Sequence, residues 1–285
     1  MAAPFFETAA TPRASASMLC DTPDQSPGFD SPTSIVFGIP IRHRFGEAYY
    51  HPGMLEPSAV LLVVAAPAEA RAVLRAFGTD PSRAETPWVL HTLSKTFDLV
   101  ISCIGKANAA GAAAKFGDPS RHAAILSAGI AGALPGSGVD LGTSVAADTC
   151  VFADEGLLSP SGFADCAAMG FPLADLPGSG VPVPARLVDW LRPAVNRVGP
   201  IATVSTCSGT DGLAAEVRAR TGALAEGMEG AAVALIGRRI GIPAGEVRIV
   251  SNTTGDRERQ VWDVKQALSG LELVMGRLAA SAHAT

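Results

Sequence analysis

The chain has 285 residues, 48% of them hydrophobic and 17% charged, with a net charge of −5. That is enough apolar material for one sizeable α/β domain or two small ones. Four lysines and scattered arginines form no basic face, which argues against a nucleic-acid partner. The five cysteines include no C-x-x-C pair and the five histidines show no metal-ligand spacing, so neither a disulfide framework nor a zinc site is indicated. No apolar run approaches the roughly 18 residues of a membrane helix. The expectation is a cytoplasmic protein with no metal, no cofactor and no membrane partner.

Residues 1–57 carry eight of the 21 prolines and both tyrosines, without period 2 or period 3.6. They read as a disordered or loosely packed extension, with Met54 as an alternative start. Residues 58–285 read as the folded domain. Its first strand is the apolar run Ala59 to Ala65, and Pro67 suits the first turn of a helix over Ala68 to Phe77. Glu69 falls in that first turn, where a carboxylate is commonly just a partner for the helix N-terminus. Trp88 to Leu93 and Phe97 to Ile104 look like a hairpin. Gly105-Lys106 misses the P-loop spacing and reads as a strand-to-helix turn into a helix ending near Phe116.

Ala123 to Ala128 is a further buried strand, and the glycine run Gly129 to Gly138 that follows it fits a plain turn as well as a binding site. Glycines there let backbone amides approach a ligand, although the spacing is not that of a dinucleotide fingerprint. Thr143 to Phe152 reads as a strand before the acidic pair Asp154-Glu155, and 157–182 as a loop near a pocket mouth. An amphipathic helix is expected over Pro184 to Val198, a strand over Ile201 to Ser205 and a turn at Ser208-Gly209-Thr210-Asp211. A strand end at Gly227 opens into a helix over Gly230 to Ile240, stopped by Gly241-Ile242-Pro243. Val247 to Asn252 is an apolar strand with a polar end, and Val261 to Ala280 a terminal helix. Ligands bind at the carboxyl ends of strands in open α/β sheets, so Met228, Glu229 and Asn252 are candidates for one pocket.

Gly-Met-Glu-Gly-Ala-Ala at 227–232, followed one helix later by Val-Arg-Ile-Val-Ser-Asn at 247–252, resembles the nucleoside phosphorylase and nucleosidase superfamily. Within it the likeness is to the futalosine hydrolases, nucleosidases of a menaquinone route, over about Ser58 to Leu278. The resemblance implies a three-layer α/β/α sandwich around a mixed, mostly parallel central sheet, a homo-oligomer and a small nucleoside substrate. It implies that Met228 and Glu229 hold the ribose, that Gly129, Ile130, Ala131 and Gly132 lie beside it, and that Glu69 activates the attacking water. The serine-glycine turn at Gly209 precedes, in the family, an aromatic that stacks on the base; here Gly212 takes that place, or the loop is shifted. Asn252 would face the purine, where adenine-cleaving relatives carry aspartate. An amide can donate to N7 or O6 of a 6-oxopurine, which favours hypoxanthine. Arg44, Arg121 and Arg257 are candidates for a cation near the 5′ carboxybenzoyl group of futalosine.

Three other readings stay open: a purine nucleoside phosphorylase, a methylthioadenosine-type nucleosidase and a non-enzymatic nucleoside-binding protein. A phosphorylase is weakened by Ile130, where phosphorylases place a serine, and by the absent glycine-aspartate-proline loop. A non-enzymatic nucleoside-binding protein would be expected to lack Glu69 or Glu229.

Overall fold

The apolar run Ala59–Val64 forms β1, buried throughout, and it sits between two parallel neighbours, β3 (Phe97–Ile101) and β4 (His122–Ala133). The structure, a computed structural model, describes residues 59–281; the expectations for 1–57, Met54 and Arg44 lie outside them. β2 (Leu90–Thr92) is antiparallel to β3 in the expected hairpin. β5 (Ser144–Phe152), β9 (Arg197–Thr203), β10 (Ala225–Gly227) and β11 (Ala244–Thr253) extend the sheet in the order β4-β11-β5-β9-β10, and β8 (Gly180–Pro182) joins β5. β10 then pairs back onto β4 through Ala225 and Glu226. Strands β4, β11, β5, β9 and β10 therefore close a ring.

The sheet is mixed. The joins β4–β11, β5–β9 and β9–β10 are parallel like those of β1, whereas β5–β11, β5–β8 and β4–β10 are antiparallel. Helix α1 (Pro67–Ala76) packs with α6 (Val264–Ser281), and α2 (Lys106–Phe116) with α5 (Gly230–Ile240). The remaining helices are α3 (Ala185–Leu191) and α4 (Asp211–Thr221).

Several segments differ from the sequence reading. The glycines of Gly129–Gly132 are not a turn: β4 runs on to Ala133 because β11 pairs along one edge and β10 along the other. The helix expected to reach Val198 ends at Leu191. Arg192–Ala194 make one tight turn around Pro193, which lacks the N–H a helix needs, and β9 takes over at Arg197. Segment 157–182 holds β8 and most of a hairpin of β6 (Gly156–Ser159) and β7 (Gly162–Asp165). α6 starts at Val264 because Trp262 is held in a bridge to Asn252.

α5 lies close over β11, and Gly237 shows how close. A Cβ there would overlap the Cβ of Ala244 and sit 2.7 Å from the carbonyl oxygen of Ile242. Alanine is the better helix former by about 1 kcal/mol, but overpacking against atoms that cannot rotate away costs about 1–3 kcal/mol. Gly237→Ala is therefore expected to lower the urea midpoint despite its propensity, with an unchanged m value; a raised midpoint would show that α5 can lift from the sheet.

Candidate active site

Glu69 is the third residue of α1, and its carboxylate turns back across the end of β1. Oε2 accepts from the amides of Ala65 (3.1 Å) and Ala66 (3.0 Å), the half of a capping box that needs no side chain at the cap. Oε1 accepts from the amide of Ile130 at 2.9 Å. One glutamate thus caps a helix and joins β1 to β4. Burial pushes its carboxyl above the ordinary range, against the pull of Arg248 and the backbone donors.

Arg248, in the middle of β11, is 1% exposed. Its Nε donates to Glu246 (2.7 Å), and its Nη2 to Glu229 (3.0 Å) and to the Ser127 hydroxyl (2.9 Å). Burial works against the guanidinium's charge, but Glu246, Glu229 and Glu69 together outweigh it and hold the pKa above its usual value. Glu246 lies two residues back along the strand, hence on the same face. Burial raises its pKa too, and its Oε2 has no hydrogen-bond partner among the described residues. Glycines make room for the cluster. A Cβ on Gly129 would overlap Glu69 and meet Arg248 at 2.5 Å, and one on Gly230 would overlap Glu246.

Glu229 precedes the first turn of α5. Besides Arg248 it is held by the amide of Gly105, which donates to Oε1 at 3.0 Å. Gly105 has φ +97° and is the strand-to-helix turn into α2, so that turn serves a carboxylate of the chain itself. Lys106 is engaged by Asp154 (2.6 Å) and Glu155 (3.1 Å).

Asn252 follows a bulge in β11 at Ser251. Its Oδ1 accepts from the Ser251 hydroxyl (2.9 Å) and its Nδ2 donates to the Thr253 carbonyl (3.0 Å), leaving one N–H and one lone pair free. Glu69, Glu229, Met228, Asn252, Ile130, Ala131, Gly132 and Gly209 all line one cavity of about 550 Å³. Gly129 stands behind Glu69 instead of on the cavity wall.

Further lining residues that the sequence reading did not single out as cavity residues include Arg248, Glu226, Trp262 and Gln260. Arg248 left a signal, since a charged residue inside an apolar strand must find buried partners. Trp262 is the aromatic among the lining residues; Gly212 lies in α4 instead. The Arg257 guanidinium sits over the Trp262 ring at 4.7 Å and donates to Gln260 at 2.9 Å. Of the other arginine candidates, Arg121 is far from this wall, clamped on buried Asp98 by two hydrogen bonds at the opposite end of the strands.

The chain belongs to the Phosphorylase superfamily, whose family model matches residues 59–282. Among its relatives are the futalosine hydrolases of Acidothermus cellulolyticus, 36% identical over 78% of this chain and 90% of that one, and of Streptomyces coelicolor, 36% identical over 77% and 94%. Two solved structures share the fold. A 5′-methylthioadenosine/S-adenosylhomocysteine nucleosidase of Neisseria meningitidis has a TM-score of 0.61 at 20% identity, covering 79% of this chain and 99% of that one. A futalosine hydrolase mutant of Helicobacter pylori has a TM-score of 0.61 at 17% identity, covering 80% and 99%.

Arg248→Met removes the cation shared by Glu69, Glu229 and Glu246. Stranding buried carboxylates is expected to cost about 3–5 kcal/mol of stability at neutral pH. Glu69 and Glu246 have folded pKa values raised above their unfolded ones. Their stabilising contribution is present in full below the unfolded value, about 4.3, and is lost as pH rises through the raised values. The variant's deficit should therefore be larger at pH 8 than at pH 5 in urea unfolding; an equal deficit at both would mean that these carboxyls do not titrate with folding.

Proposed function

We propose that the chain hydrolyses the N-ribosidic bond of futalosine, releasing hypoxanthine and leaving dehypoxanthine futalosine, a step of menaquinone biosynthesis. The observation that carries this reading is the shared cavity: a buried glutamate with a raised pKa, a second carboxylate bound to arginine, and an asparagine in place of an acid. Breaking the bond leaves positive charge on the sugar and negative charge on the departing base. Glu229 accepts from the 2′- and 3′-hydroxyls and favours the oxocarbenium-like state. Met228 packs on the ribose, beside the β4 segment Ile130 to Gly132. Glu69 takes the proton of the attacking water, and Arg248 holds the charge balance as that proton arrives. Asn252 donates to N7 or O6 as charge develops on hypoxanthine. Gly209 keeps the wall under the base open. Arg257, stacked on Trp262, suits the carboxylate of the 5′ arm.

The finer picture is a three-layer α/β/α sandwich, supported by the helix pairs α1–α6 and α2–α5, in a cytoplasmic homo-oligomer. Among the described residues no helix is long and apolar enough to cross a membrane. The alternative within the superfamily is a phosphorylase, against which Ile130 replaces the phosphate-holding serine.

Base release from futalosine, inosine and methylthioadenosine, with and without phosphate, is the test. Release of hypoxanthine from futalosine, indifferent to phosphate, is expected; strict phosphate dependence would move the chain to the phosphorylases. Glu69→Gln should lower kcat by about 10²–10⁴-fold while nucleoside binding persists. Because the base must be ionised, the wild-type rate should rise with pH through the raised Glu69 pKa, above the ordinary glutamate range. An acid limb unchanged in Glu69→Gln would remove Glu69 from the role.

A further inference from the structure

Gly132 lies between two polar residues. In the strand register it faces Asn252 of β11 on one side and Glu226 of β10 on the other. Residues in register project from the same face of a sheet. A Cβ built on Gly132 would sit 3.0 Å from Asn252 Nδ2, so this face is the one Asn252 occupies. The backbones of β11 and β10 lie two strand spacings apart, about 10 Å. Glycine in the middle adds no side chain of its own between an amide and a carboxylate, and the Thr254 methyl packs where its Cβ would lie, 2.7 Å from that point. All three residues line the nucleoside cavity.

Glu226 is 5% exposed. Its Oε1 accepts from the Ser208 amide at 2.7 Å and its Oε2 from the Ser208 hydroxyl at 2.6 Å. These bonds fix the carboxylate plane and leave each oxygen a lone pair for a donor in the cavity. Neither partner is charged, unlike the arginine that holds Glu229. Nothing in the hydrolytic chemistry uses this buried acid.

We infer that Glu226 and Asn252 together read a 6-oxopurine, Glu226 accepting from the lactam N1–H while Asn252 donates to the O6 or N7 edge. The inference rests on the nucleosidase reading above and extends it to a specificity-determining residue. Adenine presents the reverse pattern, a bare N1 lone pair beside a 6-amino donor, so a carboxylate at that point repels it. A site built to accept one N–H rejects strongly an analogue without it.

The experiment measures binding of free bases, which requires no turnover. Wild type should bind hypoxanthine about 100-fold more tightly than adenine, and than 1-methylhypoxanthine, whose methyl replaces the N1 proton. Glu226→Ala, checked for a native circular dichroism spectrum, should lose most of the preference for hypoxanthine and accept the methylated base at least as well. Glu226→Gln should narrow the hypoxanthine-to-adenine ratio at least tenfold. Equal wild-type affinity for hypoxanthine and its 1-methyl derivative overturns the assignment, and so does binding of neither base or a preference unchanged in both variants. Cleavage of futalosine, scored separately, decides the nucleosidase reading: wild type that selects hypoxanthine but cleaves nothing would keep the base site and sink the enzyme.

Discussion

One buried guanidinium organises the charged wall of this protein's cavity. Arg248 is taken out of water in the centre of a strand, a placement tolerable only with charged partners in contact. Glu246 and Glu229 are such partners, with Glu69 close enough to add to the field. Three carboxylates around one cation leave a negative excess, and burial answers it by raising the pKa of Glu69 and Glu246. The cluster thus sets the proton affinity of its members and also the backbone around it. Gly129, Gly227 and Gly230 are bare where the carboxylates and the guanidinium approach.

The fold delivers these groups by simple rules. Glu69 and Glu229 sit at helix starts, Asn252 at a strand end, and Glu246 and Arg248 share one face of β11 through the two-residue strand period. Glu69 serves helix, sheet and cavity with a single side chain. Its three backbone donors hold the carboxylate still, so no ordering is left to do when a ligand arrives.

The sequence made β1, the hairpin of β2 and β3, α1, α5 and the core of β11 legible, because each is either a continuous apolar run or a periodic one closed by glycine or proline. The family motif picked out Glu69, Met228, Glu229 and Asn252, which line one cavity. What stayed hidden depends on pairing across long separations. The glycine run 129–132 looks like a turn until two edge partners are known, and a helix to Val198 looks plausible until Pro193 meets the demand of β5 for a parallel neighbour. Glu226 and Trp262 could not be assigned from local pattern. One owes its position to a back-pairing of β10, the other to a bridge formed after a polar loop.

The ring of strands is unequally sealed. β4 and β11 share a long register, whereas β10 touches β4 at two positions only, fewer than at any other join around the ring. Opening free energy follows the number of cross-strand bonds and packed contacts that must be given up. Breathing of the ring is therefore concentrated at the β4–β10 seam, and that seam runs under the floor of the cavity. Glu226 stands on the short side of this seam, whereas Arg248 stands on the long register of β11 with β4.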